Sequence, residues 1–270
     1  MIIDTFMFFN EKELLELRLR YLNSIVDRFV IVEANITHQG KEKPWNLEKY
    51  LENNLAEFKN KITYVKKIIN IEETFKEEGL GGKDSGENSW KIENYHRNSI
   101  KENLEKFKNE DIILISDIDE IPSIEKISFL KSCELKKIQP VAFEHKLFHL
   151  NCNYLTLTRW LGTIAAQKSL LNKYSPQFLR NNAQQMSIFA DAGWSFSSFG
   201  GKDRVIEKLE AFAHTEFNNN EFKDENHIEL CTSLGGDFFK RGKKRKRIDK
   251  TFFPRDLLKL LNDNQKFYFG

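Results

Sequence analysis

The sequence predicts an α/β protein built on an open, mixed but mostly parallel sheet flanked by helices. Three observations carry this reading. Short aliphatic and β-branched runs alternate with stretches of helical period; each run is apolar throughout, as in strands buried on both faces; and several runs stop abruptly at an acidic or amide side chain.

Ile2 to Phe9 reads as the first strand. Asn10 is placed to cap the segment that follows, Glu11 to Leu22, where Leu14, Leu15, Leu17, Leu19 and Leu22 recur among charges as on an amphipathic helix. Phe29 to Val32 is a second strand ending at Glu33. Leu47 to Phe58, entered from Pro44-Trp45-Asn46, is a second helix, and Ile62 to Val65 a third strand. Gly79 to Gly86 matches neither dinucleotide nor P-loop spacing and reads as a flexible loop. A helix over Trp90 to Phe107 sets Trp90, Glu93 and Arg97 near one face, and the Arg97 guanidinium suits a carboxylate or a phosphate.

The next strand, Ile112 to Ile115, runs into Ser116-Asp117-Ile118-Asp119-Glu120-Ile121-Pro122. Two aspartates two positions apart in extended backbone share a face and suit one divalent cation with the phosphates it carries. Three carboxylates within four positions repel one another unless a cation or a basic group compensates them. The same residues also suit plain N-capping, with Ser123 starting a helix. In an open α/β sheet ligands bind beyond the carboxyl ends of the strands, so Asn10, Glu33 and Asp117 should converge on one crevice.

Val141 to Leu150 and Tyr154 to Leu157 read as paired strands, with Tyr154, Arg159 and Trp160 suited to an acceptor-facing surface. Ala190 to Gly201 reads as a turn-rich aromatic segment, Glu207 to Ala213 as helix running into His214-Thr-Glu216, and Arg255 to Leu261 as a short terminal helix. The expected organisation is one catalytic domain over residues 1–250 and a helical extension over 251–270 packed on it.

The chain has 270 residues, with 42 Lys and Arg against 40 Asp and Glu, so its overall charge marks no general polyanion binder. Lys240 to Arg247 is the one strongly basic run. It reads as a solvated tail, a contact to anionic lipid, or a cover over phosphates; no RNA-binding aromatic motif accompanies it, so nucleic acid is not expected. Three cysteines without a CxxC pair argue for a reducing compartment. With no apolar run long enough to span a bilayer, the expected location is cytoplasmic, with peripheral attachment to the inner face of a membrane through 240–247.

Several motifs in order resemble glycosyltransferase family 17: Ile3-Asp-Thr-Phe-Met-Phe-Phe-Asn-Glu11 with Leu14-Leu-Glu-Leu-Arg-Leu19, Val26-Asp-Arg-Phe-Val-Ile-Val-Glu33, Thr37-His-Gln-Gly-Lys-Glu-Lys-Pro44, Ser116 to Pro122, and Asp191-Ala-Gly-Trp194. The resemblance spans roughly residues 2 to 240. It implies a GT-A-type nucleotide-diphosphosugar fold and an inverting transfer of N-acetylglucosamine from UDP-N-acetylglucosamine to a glycan hydroxyl with Mn²⁺ or Mg²⁺. Carried onto this sequence, Asp117 and Asp119 are the metal and donor aspartates, with His214 completing the metal shell. Phe8, Asn10, Glu33, Trp90 and Arg97 are the other donor-site candidates. Asp191 is the first choice for the catalytic base and Glu216 the second. Where many members read Gly-Trp-His, this chain has Gly193-Trp194-Ser195, and His214 is the candidate replacement for that imidazole. The competing readings are a nucleotidyltransferase using the same acidic strand and a carbohydrate-binding relative without activity.

Overall fold

A computed structural model describes residues 1–77, 85–133 and 139–267. The glycine-rich stretch 79–84 lies outside the described residues, and Ser85 and Gly86 already belong to a helix.

In chain order the elements are β1 (Ile2–Phe8), α1 (Lys12–Leu22), β2 (Arg28–Ala34), α2 (Leu47–Asn54), β3 (Ile62–Lys67), α3 (Ile71–Glu77), α4 (Ser85–Asn98), β4 (Ile112–Asp117), β5 (Glu120–Pro122) and α5 (Ile124–Ser132). There follow β6 (Val141–His149), β7 (Tyr154–Gln167), α6 (Lys168–Leu171), α7 (Pro176–Asn181), β8 (Ser187–Ser197), α8 (Lys202–Leu209), α9 (Asn220–Lys223), α10 (Glu225–Leu234), β9 (Arg245–Arg247) and α11 (Arg255–Asn262). One sheet has the order β3-β2-β1-β4-β7-β6-β8-β5, with β9 paired to β7. The half formed by β3, β2, β1 and β4 is wholly parallel. Beyond β4 the sheet is mixed: β7 is antiparallel to β4 and β6, and β8 is parallel to β6.

Both faces are covered, which is why β1, β2 and β4 are apolar almost throughout. One core contains Phe6, Phe8, Phe29, Ile31 and Leu114 from the strands and Leu15, Leu19 and Leu22 from α1. Leu257 and Leu261 of α11, with Phe253 and Phe267, belong to this same core. The other core joins Ile3, Val30, Val32, Ile113 and Ile115 to Ile100, Leu104 and Leu179.

A buried arginine ties these layers to the acidic turn. Arg18 of α1 is fully enclosed, and its Nε and Nη2 donate to the two carboxylate oxygens of Asp4 on β1, both at 2.7 Å. Its Nη1 donates to the backbone carbonyls of Asp117, Ile118 and Glu120. Residues 118–119 therefore form a turn between β4 and β5 rather than continued strand.

His145 of β6 occupies a second special position. A Cβ added to Gly162 of β7 would stand 2.6 Å from its Nδ1, and one added to Gly193 of β8 would stand 2.7 Å from its Nε2. Neither ring nitrogen has a hydrogen-bond partner among the described residues. Burial, then the charges of Arg18 and Arg180, lower its pKa to about 3, so the ring is neutral.

Three sequence expectations shift. Asn10 does not cap α1; the cap position is Glu11, whose Oε2 instead accepts from the amides of Phe9 and Asn10. The segment read as turn-rich is strand β8, and α8 lies earlier than 207–213.

Replacing Arg18 by Met should cost about 3–5 kcal/mol, because it leaves Asp4 charged and enclosed without a partner. Urea unfolding at pH 7 checks this, and a loss below 1 kcal/mol would contradict it.

Candidate active site

The carboxyl ends of β1, β2 and β4 open on a cavity of about 600 Å³, whose far wall is built by β6, β7, β8 and the segment 237–243. Phe8, Trp90, Arg97, Asp117, Asp119 and His214 line it together.

The acidic turn is surrounded by cations from three helices. Asp117 Oδ1 accepts from Arg97 Nη2 of α4 at 2.8 Å, and its Oδ2 accepts from Arg180 Nη2 of α7 at 3.0 Å. Arg180 also grips Glu120, at 2.6 and 2.9 Å, while Trp160 Nε1 donates to the same carboxylate. Lys208 of α8 donates to Asp119 Oδ2 at 2.9 Å. Arg97 is itself held by Glu93 and Gln177.

These contacts set the ionisation. Burial opposes charge on Asp117, but Arg180 and Arg97 outweigh it and hold the carboxyl well below its usual range. Glu120 is shifted the other way, because burial outweighs the help from Arg180 and Asp117 adds repulsion. Lys208 is pushed up, since Asp119 more than offsets the loss of hydration. Glu11, also on the cavity wall, is raised chiefly by burial, in part countered by the Phe9 amide and Lys208.

Four of the expected residues are elsewhere. Asp191 sits in a bulge of β8, where Phe143 pairs with Phe189 but His145 pairs with Gly193, so β8 carries extra residues. The bulge gives Asp191 a φ of +50° and turns it outward to an ion pair with Lys146, away from the cavity. This corrects its assignment as base. Glu216 lies outside the wall and holds His214 Nδ1 at 2.7 Å. Asn10 turns to Glu207 at 2.6 Å. Glu33 is fully enclosed and secures the entry to α2, accepting from the amides of Asn46 and Leu47, from Lys43 and from Tyr64. Trp194 is a core residue edge-on to Tyr21, whereas Ser195 faces the cavity.

The sequence reading missed Glu11, Arg180 and Lys208. Arg180 had one local signal: Ser175-Pro176 is a helix start, and Ser175 Oγ does accept from the Phe178 amide. The basic run also differs from a free tail. Arg241 packs over Phe217 and Phe239, Lys243 lines the cavity, and Arg245 to Arg247 pair with β7. No helix among the described residues is long and apolar enough to cross a membrane.

Arg180→Met leaves buried Glu120 without its cation and should cost about 3–5 kcal/mol at pH 7. The depressed Asp117 pKa stabilises the native protein above the ordinary carboxylate range, and that contribution is lost as pH falls below it. The gap between wild type and variant should therefore hold from pH 7 to pH 4 and narrow as pH is lowered further towards 2, as paired urea titrations would show.

Known proteins resemble this chain in sequence and in fold to the following extent. The β-1,4-mannosyl-glycoprotein 4-β-N-acetylglucosaminyltransferase of Homo sapiens is 30% identical over 127 residues, covering 45% of this chain and 22% of that enzyme. The Mus musculus enzyme is 29% identical over the same span. The match thus spans about a fifth of the length of these relatives. Among solved structures, 4-diphosphocytidyl-2C-methyl-D-erythritol synthase from Anaerococcus prevotii aligns with a TM-score of 0.39 and 12% identity, over 81% of this chain and 96% of that one. The family model for glycosyltransferase family 17 matches residues 1–243, and the chain belongs to that family.

Proposed function

We propose that this protein is an inverting glycosyltransferase that moves N-acetylglucosamine from UDP-N-acetylglucosamine to a sugar hydroxyl, with Mn²⁺ or Mg²⁺ at the acidic turn. The observation that carries the reading is the cavity at the strand ends, where Asp117 and Asp119 stand among Arg97, Arg180 and Lys208. Family membership and the printed activity of the relatives support it.

The donor set fits such a cation. Among the described residues no three His, Cys, Asp or Glu side chains are grouped to enclose a metal. Mg²⁺ in nucleotide sites needs less, since one or two carboxylates suffice when phosphates and water supply the rest. Asp119 is the stronger candidate ligand, because both oxygens of Asp117 are engaged by arginines. His214 also fits: with its Nδ1 held by Glu216, its Nε2 is oriented as a metal-binding imidazole requires. That gives Glu216 a positioning role. When bound, the cation supplies charge neutralisation to the departing diphosphate.

The protein's own groups do the rest. Arg97 and Arg180 are fixed before substrate arrives, so their charge acts without reorganisation as negative charge develops on the leaving group. Lys208 adds a third positive charge at the same turn. For the acceptor proton we assign Glu11, a cavity carboxylate whose Oε2 is fixed by two amides and whose raised pKa suits a general base.

UDP release from a panel of nucleotide sugars, with Mn²⁺ and with EDTA, tests the reading. Metal-dependent UDP release is expected, and pyrophosphate as product would identify a nucleotidyltransferase instead. Asp119→Ala should lower the rate about 10²–10³-fold while the variant still unfolds cooperatively, at a somewhat lower melting temperature because Lys208 loses its partner; full activity would remove its metal role. The rate should also fall with acid below a midpoint above the ordinary carboxylate range, and Glu11→Gln should abolish that dependence together with most of the activity.

A further inference from the structure

His38 and Glu93 both line the cavity, and the contacts around them fix where the hydrogens lie. His96 Nε2 stands 3.2 Å from the backbone carbonyl of Val32, which can only accept, so this nitrogen carries a hydrogen. His96 is buried, and burial above all pushes its pKa well below the ordinary value, so the ring is neutral and its Nδ1 is bare. His38 Nε2, 3.3 Å from that Nδ1, must then be the donor. Burial also lowers the pKa of His38, with Glu93 opposing the shift, which leaves His38 Nδ1 without a proton.

That bare nitrogen faces Glu93 Oε2 at 3.7 Å, too far for a hydrogen bond. Arg97 Nη2 takes the other oxygen, Oε1, at 2.6 Å. Two acceptors therefore stand side by side on the cavity surface with no hydrogen between them. A cation is disfavoured there, because the Arg97 guanidinium already lies against the same carboxylate. A neutral group with two donors suits the pair better, and a cis vicinal diol carries two hydroxyls on adjacent carbons.

Topology says which diol. The order β3-β2-β1-β4 is that of a parallel nucleotide-binding half-sheet, in which a carboxylate just beyond the second strand accepts from the ribose 2′-hydroxyl. Here the carboxylate on β2 itself, Glu33, is spent on the entry to α2. His38 follows the end of β2 by four residues, and α4 brings Glu93 to it. Arg97 Nη2 also donates to Asp117 Oδ1, so one nitrogen joins the acceptor pair to the acidic turn. The ribose adjoins the diphosphate in a nucleotide in just this way.

We propose that His38 and Glu93 clamp the ribose 2′- and 3′-hydroxyls of the nucleotide donor, one hydroxyl to each acceptor, and so select ribonucleotides over deoxyribonucleotides. The proposal rests on the reading of the cavity as a UDP-sugar site, and the test separates the two.

Calorimetry would compare UDP, 2′-deoxy-UDP and 3′-deoxy-UDP, each with Mg²⁺. Removing the hydroxyl that meets Glu93 should weaken binding about ten- to a hundredfold, and removing the one that meets His38 about three- to tenfold. Each penalty should depend on its own acceptor. In His38→Phe the smaller ratio should fall close to one while the larger persists, and in Glu93→Gln the larger should shrink. A merely structural role would weaken all three nucleotides alike, and unchanged ratios in both folded variants overturn the clamp. Melting temperatures report folding; should neither variant fold, the wild-type ratios decide. Equal binding of UDP and both deoxy nucleotides by the wild type overturns the clamp and leaves the UDP-sugar reading standing. Failure of the wild type to bind UDP with or without metal sinks that reading and the clamp with it.

Discussion

The fully enclosed Arg18 holds the donor half of the site in shape. Two of its nitrogens are committed to Asp4, which fixes α1 against β1, and the third gathers the carbonyls of residues 117, 118 and 120. An ion pair in this setting is tolerable because both carboxylate oxygens of Asp4 are engaged and the remaining guanidinium nitrogen finds backbone carbonyls. Its main effect is on geometry. With those carbonyls drawn inward, the chain turns at 118–119, and the side chains of Asp117 and Asp119 both reach the cavity although the backbone between them is not extended.

Around that turn the charges are balanced by residues far away in sequence. Arg97, Arg180 and Lys208 come from α4, α7 and α8, and each is committed to a carboxylate in the absence of substrate. Such a site is electrostatically prepared before a diphosphate enters. It also explains how Asp117, Asp119 and Glu120 can lie so close together, since each has its own cationic neighbour.

The parallel half of the sheet was legible in the sequence because strands buried on both faces must be apolar at successive positions, as Ile112 to Ile115 and Phe29 to Val32 are. Of Asn10, Glu33 and Asp117, which the strand-end rule placed together, Asp117 alone lines the cavity. The rule failed for Glu33, because a carboxylate at a strand end serves equally well to secure the next helix, and only the neighbours decide. The bulge that throws Asp191 outward has no local signature. Arg180 and Lys208 were hidden because their partners lie 63 and 89 residues away. The basic run looked like a tail because eight residues with seven positive charges read as solvated, and nothing local announces that Arg245 to Arg247 pair with β7.

The imidazole of His145 lies between two glycines on neighbouring strands, each contributing the absence of a side chain. Three positions in three strands are thereby bound into one steric unit. A larger residue at Gly162 is admissible only once the ring has gone, whereas at Gly193 the backbone carbonyl of Ile121, 2.5 Å from such a Cβ, bars one even then. Gly162 and His145 can therefore diverge only in concert, and Gly193 is held by its own backbone neighbour, a restriction that the aliphatic positions of the all-parallel half do not share.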